Sequence, residues 1–228
     1  MTQRLHLVEL FDPDVPRDIG AGNFADWLEA TRVGAPADVP CGECNGCCRS
    51  FYFIHIEPDE GAALAHIPAE LLFPAPGRAP GHRVMGHDQF GCCPMLVDGA
   101  CSIYQHRPRT CRVYDCRLFA ATNLAAGESD KQLINDRARR WRFDESDPAS
   151  ASQQQAMLAA SRFLRVHSAA FEVGQLPTNS TRGALLVLRI HELFLADAQR
   201  PLTEPQVTER IAQIVRIVQQ NAQAQPSG

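Results

Sequence analysis

Cys41-Gly-Glu-Cys44-Asn-Gly-Cys47-Cys48 is the stretch on which the reading of this chain turns. It is answered downstream by Cys93-Pro-Met-Leu-Val-Asp-Gly-Ala-Cys101 and by Cys111-Arg-Val-Tyr-Asp-Cys116. All nine cysteines fall between residues 41 and 116, and the rest of the chain has none. Thiols gathered at such short spacings either form bridges or bind a soft metal. Nine is odd, so they cannot all pair within one chain.

The spacing favours metal. A Cys-x2-Cys turn places both sulfurs on one ion, and in a tetrahedral zinc site each such turn supplies half the ligands at about 2.3 Å. Cys41, Cys44 and Cys47 repeat that spacing twice, and Cys48 follows at once. Adjacent cysteines do not readily ligate one ion, so Cys47 and Cys48 are expected to point to different places. Cys93, Cys101, Cys111 and Cys116 form the second group of ligand candidates. Five nearby histidines, His55, His66, His82, His87 and His106, leave open one crowded site or two separate ones. A Cys-x2-Cys-x2-Cys run also resembles the start of a ferredoxin cluster loop. There the fourth cysteine comes after three residues and before proline, whereas Cys48 follows directly and precedes Arg49. Reduced, buried cysteines serving as small apolar side chains are the plain alternative.

The combined pattern of Cys41-x2-Cys44-x2-Cys47-Cys48, Cys93-Pro-Met-Leu, Cys101-Ser-Ile-Tyr, Arg107-Pro108 and Cys111-Arg-Val-Tyr-Asp-Cys116 resembles the CxxCxxCC (YkgJ-type) cysteine-cluster family of zinc- or iron-chelating proteins. The resemblance covers about residues 41 to 118. It implies chelation of zinc or iron by Cys41, Cys44, Cys47, Cys48, Cys93, Cys101, Cys111 and Cys116. Some proteins with such a cluster are flagellin lysine N-methylases, so the resemblance also leaves room for an iron or iron–sulfur redox or transfer enzyme. Nothing outside the cluster carries that activity over. Cys92 is extra to the pattern, because Cys93 is the member that precedes Pro94.

The 228 residues, 45% hydrophobic and 21% charged, suit an ordinary globular protein. A net charge of -4 and a pI near 6.1 give no reason to expect nucleic acid or an anionic membrane as partner. Of the 22 basic residues only Lys131 is lysine, read as a compositional bias toward arginine. Glu9 and Asp12 stand where a secretory signal needs an apolar core, and no aliphatic run approaches the roughly 18 residues of a membrane span. The expected compartment is therefore the cytosol, where thiols stay reduced.

The pattern divides into residues 1–40, a lead-in with a short helix; 41–118, the cysteine module; and 119–228, helical. Residues 1–22 read as irregular. Asn23 is placed to cap a helix over Phe24 to Arg32, with Phe24, Trp27, Leu28 and Thr31 on one face. The glycines at 42 and 46 suit tight turns. Ser50 to Ile56 reads as a strand, Glu57-Pro58 as the start of a helix to about His66 with one more turn at Ala69 to Phe73, and Arg83 to Met85 as a second strand. Beyond these, Ser129-Asp-Lys-Gln132 predicts a helix through Trp141. Asp147-Pro148 opens a second, on which Ala156, Ala160, Phe163, Leu164 and Phe171 keep helical spacing. A third spans about Gly183 to Ala196. Thr203 to Gln206 opens a fourth with a stripe of Val207, Ile211, Ile214 and Val218, and the tail from Asn221 reads as frayed. The expected fold is α-rich α+β: a small irregular metal-stapled module with short strands, packed with a C-terminal helical bundle.

Other motifs point less far. His55-x-Glu57 beside Pro40-Cys41-x2-Cys44 contains the pieces of a zinc deaminase in reversed order; a strand-end histidine and a helix-capping glutamate are the simpler roles. Arg107, Arg109 and Arg112 suit an anion, or else pair with Asp98 and Asp115 and neutralise thiolates. Tyr104 reads as packing. Arg137-Ala-Arg139-Arg140-Trp141-Arg142 suits a solvated helix face better than nucleic acid. Asn179-Ser180-Thr181 matches a glycosylation acceptor, without meaning in the cytosol.

Overall fold

The structure is a computed structural model that describes residues 7–37, 39–127, 129–195 and 202–224. In chain order the elements are β1 (Ile19–Asn23), α1 (Phe24–Arg32), a 3-10 turn at Gly46–Arg49, β2 (Ile54–Ile56), α2 (Gly61–His66), β3 (Leu72–Pro74) and β4 (Arg83–Met85). There follow β5 (Leu96–Val97), β6 (Ala100–Cys101), α3 (Arg109–Val113), α4 (Arg117–Thr122), α5 (Gln132–Arg139) and β7 (Trp141–Asp144). Three longer helices close the chain: α6 (Pro148–His167), α7 (Ser180–Ile190) and α8 (Glu204–Ala224). The α-rich α+β expectation holds. The described residues form two compact units, one from 7–29, 116–127, 138–195 and 202–224, the other from 30–37, 39–115 and 129–137. No helix is long and apolar enough to cross a membrane among the described residues.

The first unit is built on helices. Apolar side chains at helical spacing on α6, Ala156, Met157, Ala160 and Leu164, are buried together with Ala184, Val187 and Ile190 of α7 and Ile211 of α8. Phe163 is only half-buried, and Phe171 is buried beyond the end of α6. Ile214 and Val218 are likewise half-buried, so the α8 stripe is deepest at Val207 and Ile211. The third helix ends at Ile190 and passes into a 3-10 turn, His191–Phe194; Ala196 and residues 225–228 lie outside the described residues.

Two helix caps interlock in this unit. The Asn23 carboxamide accepts from Asp26 N–H (3.1 Å) and Asp147 accepts from Ser150 N–H (2.9 Å), while Asn23 Nδ2 donates to Asp147 at 2.8 Å. Asp147 is held down to a pKa of about 2, chiefly by the Ser150 hydrogen bonds. Asn179, the glycosylation-like asparagine, caps α7 by accepting from Arg182 N–H.

Two readings of the sequence are corrected here. Residues 19–23 are a strand, β1, pairing in parallel with β7 through Ile19–Trp141 and Gly20–Arg142. The helix expected through Trp141 stops at Arg139, because Trp141 and Phe143 alternate with exposed Arg142 and Asp144 in a half-buried strand. Phe24, Trp27 and Phe143 meet there with ring centroids 5.0–5.5 Å apart.

The second unit contains a three-stranded antiparallel sheet, ordered β2–β4–β3. Its core is Ile56, Ala63, Ile67, Met85, Met95 and Ile103, and Cys93 and Cys101 pack against it. The strand predicted from Ser50 is shorter, starting at Ile54. Phe51 adopts φ +56, which an extended strand cannot contain. The helix expected from Glu57-Pro58 begins only at Gly61; residues 57–60 form a turn in which Glu60 N–H donates to Glu57 O. After one 3-10 turn at Ala69–Leu71 the chain becomes β3, where a helical turn to Phe73 was expected.

Candidate metal centre

The cysteine loop begins with a turn in which Cys44 N–H donates to Cys41 O (3.0 Å), then closes into the 3-10 turn through Cys48 N–H to Asn45 O (2.9 Å). Its two glycines divide the work, and Gly42 takes the left-handed φ, +56. Gly46 does not serve the turn by a left-handed φ; it serves by close approach, since a Cβ there would lie 3.1 Å from Leu133 O. Gly91 is needed twice over: its φ is +78, and a Cβ would come within 2.4 Å of the Phe51 ring.

Cys93 and Cys101 are brought together by a hairpin. Asp98 (φ +49) and Gly99 (φ +80) form its two-residue turn, pairing Leu96 with Cys101, and Leu96 N–H donates to Cys93 O. The two cysteine stretches then join through the backbone. Cys93 N–H donates to Cys48 O at 2.7 Å, and Asn45 Nδ2 donates to Gly99 O at 3.2 Å. Cys111 sits on α3, whose first N–H, that of Arg109, donates to the buried carboxylate of Glu60. Thr110 Oγ1 donates to His55 O (2.7 Å) and fixes the same turn to β2.

The result is a set of mutually interacting thiols. Cys47 is the hub, because Cys41, Cys48, Cys93 and Cys111 each feel its charge. Cys93 and Cys101 in turn act on Cys48 and Cys111. All nine cysteines are free thiols. Burial pushes the Cys41 and Cys93 thiols up and takes Cys111 to about 12. Cys47, the exposed member, is lowered to about 7, chiefly by a hydrogen bond from Cys48, whose own thiol is driven up by the same bond. The neighbouring pair therefore meet each other, where the sequence suggested divergent directions.

Gathering is not convergence. Among the described residues no group of three or more His, Cys, Asp or Glu side chains is arranged to hold a metal ion. Soft thiols are the right chemistry for zinc or iron, but the sulfurs stand as neighbours in this conformation rather than as one coordination shell. Cys116 belongs to the first unit, where the Trp141 indole N–H donates to its sulfur. Cys92 is held by an Asp88 turn, its N–H donating to the carboxylate at 2.8 Å.

The other candidates have defined occupations. Arg109 pairs with Asp59 (2.8 Å) and Arg112 approaches Glu60 (3.7 Å), two acidic residues outside the pairing expected. Arg107 stacks over Tyr104 at 3.9 Å, and its charge lowers the Cys47 and Cys111 thiols. Tyr104 itself is 52% exposed, not packed away. Glu57 meets His82 at 2.8 Å, His66 and His106 stack on each other, and His87 lies against Phe51 and Phe53. In the basic run, Arg137 donates to Pro40 O, Arg139 to Leu10 O and Arg140 to both oxygens of Asp18. Those arginines serve the fold.

Sequence reasoning missed Glu60 and Lys131, both of which hold the loops that carry cysteines. Nothing in the local pattern signals the reach of Glu60 to Arg109 N–H or of Lys131 to Ser50 O, because in each case the partner is backbone distant in sequence. The Asp98-Gly99 pair is itself a sequence signal for a two-residue hairpin. No family model, no curated protein and no solved structure matches the chain.

Proposed function

We propose that the protein binds zinc or iron through the thiols of its cysteine module, Cys41, Cys44, Cys47, Cys48, Cys93, Cys101 and Cys111. The metal has a structural or binding role. One observation carries this reading: two cysteine stretches far apart in sequence are tied backbone to backbone, and their thiols are free and mutually interacting in one unit. The resemblance to the cysteine-cluster family of chelating proteins points the same way.

Ligation requires two changes. The side chains must rotate to converge on the ion, and the thiols must lose protons, because the thiolate is the ligand. Burial opposes proton loss at Cys41, Cys93 and Cys111, while Arg107 and Arg137 favour it by their charge. Metal uptake is therefore coupled to proton release and to closure of the module.

The experiment is anaerobic purification without chelators, followed by elemental analysis and a visible spectrum. Zinc in a fixed ratio to a colourless chain supports a structural or chelating zinc site. A brown protein with iron and acid-labile sulfide assigns an iron–sulfur centre. A chain that takes up neither metal, with all its thiols titratable, overturns the proposal.

A further inference from the structure

The segment 131–137 arrives from far along the chain and meets the cysteine loop at three points. Lys131, the sole lysine, donates its ammonium to Ser50 O, just past the 3-10 turn that carries Cys47 and Cys48. Leu133 lies against Gly46, where even a Cβ would crowd its carbonyl. Arg137 Nη2 donates to Pro40 O at 2.8 Å, immediately before Cys41. The contacts run in opposite order along the two strands of chain, 131 to 50, 133 to 46 and 137 to 40, so they span the whole loop.

Lys131 is itself well held. Its side chain is 14% exposed, its ammonium pairs with Asp130 at 2.5 Å, and it stands 4.3 Å from the centroid of the Tyr52 ring. Inside the loop, Ser50 Oγ donates to Gly46 O at 2.6 Å, so the residue that Lys131 grips also closes the turn. An ammonium is a compact donor with three rotatable N–H groups on a flexible stem.

We propose that residues 131–137 form a clamp that presets the cysteine loop 40–50, with Lys131 as its positioning residue. The inference rests on the metal-binding reading for its consequence but not for its mechanism. An ordered loop has lost part of its conformational freedom before an ion arrives, so less entropy opposes binding.

The test uses Lys131→Met, which keeps the apolar stem and removes the charge, and Arg137→Met, which releases the other end. Unchanged amide protection in the β2–β4 pair, Ile54–Ile56 with Arg83–Met85, which lies in the same unit as both variants, reports that each variant's module is folded. Amide hydrogen exchange in the metal-free protein is expected to speed up about tenfold at 46–51 in Lys131→Met, the equivalent of ~1.4 kcal/mol and close to the low end for a charged hydrogen bond. In Arg137→Met the faster exchange is expected at 41–44. Zinc affinity, read by competition with a chelating dye, is expected to fall by a similar factor in both. Unchanged exchange in the loop of folded Lys131→Met overturns the clamp. Faster exchange with unchanged zinc affinity overturns its role in positioning the ligands. A wild-type chain that binds no zinc, iron or cobalt sinks the metal reading separately, and the exchange result still decides the clamp.

Discussion

The indole N–H of Trp141 donates to the sulfur of Cys116 at 3.2 Å, linking a strand side chain that is 1% exposed to the residue that opens α4. Cys116 thus has a structural partner within the first unit. A serine there keeps an acceptor for the indole, whereas alanine removes it. Cys116→Ala is expected to cost about 1 kcal/mol more than Cys116→Ser, the usual worth of one such bond. Urea unfolding of the two variants measures the difference, and equal midpoints would show that the bond contributes nothing.

Gly91 is held at φ +78 with the Phe51 ring where its Cβ would be. Phe51 is itself left-handed at φ +56 and donates its N–H to Gly91 O. Gly91→Ala is expected to destabilise the module by about 1–3 kcal/mol from backbone strain alone, with the ring clash added. Thermal unfolding checks this; a Tm equal to wild type would mean the Phe51–Gly91 contact is not present in solution.

Glu60 places a buried carboxylate on two backbone donors, Glu57 N–H at 2.8 Å and Arg109 N–H, with Arg112 nearby. Glu60→Ala is expected to cost about 1–3 kcal/mol through those donors. It should also loosen the turn that carries Cys111, which peptide-level hydrogen exchange at 109–113 reads directly. Protection there as strong as in wild type would contradict the assignment.

The thiols give opposite pH signatures in the metal-free protein. Cys111 has a folded pKa of about 12 against an ordinary 9.0, so the stability it contributes is complete below about pH 9 and is lost as pH rises from there through 12. Cys47, at about 7, behaves in reverse: its contribution is present above pH 9 and is lost as pH falls through 7. Alkylation followed by peptide mass mapping should find Cys47 modified first, with a rate midpoint near pH 7. Modification of Cys111 ahead of Cys47 at that pH would contradict the hydrogen-bonded pairing of Cys47 with Cys48.

Local signals in the sequence suffice where one residue decides the structure. Asn23 and Asp147 cap the helices they were expected to cap, and Arg83–Met85 is a strand. They do not suffice where a distant partner decides. Nothing near residues 19–23 announces a strand whose partner is 141–144, because a parallel pairing across that separation is set by burial of Trp141 and Phe143. The same holds for the site. The thiol spacings marked the loops, but the grip of Glu60 on α3 and of Lys131 on the cysteine turn is between a side chain and remote backbone, which leaves no periodic trace. The partners of the arginines escape a local reading for a related reason: Arg109 and Arg112 meet Asp59 and Glu60, which lie far upstream in the chain.

The most direct test of thiolate metal binding is an anaerobic cobalt(II) titration of the reduced chain, run beside Cys44→Ser and Cys92→Ser. Wild type and Cys92→Ser should develop the same sulfur-to-cobalt charge-transfer absorption, released by zinc, and Cys44→Ser should bind less. A wild-type spectrum that stays that of hydrated cobalt would contradict thiolate binding outright, and loss of the band in Cys92→Ser alone would show that the wrong member of the Cys92–Cys93 pair has been assigned.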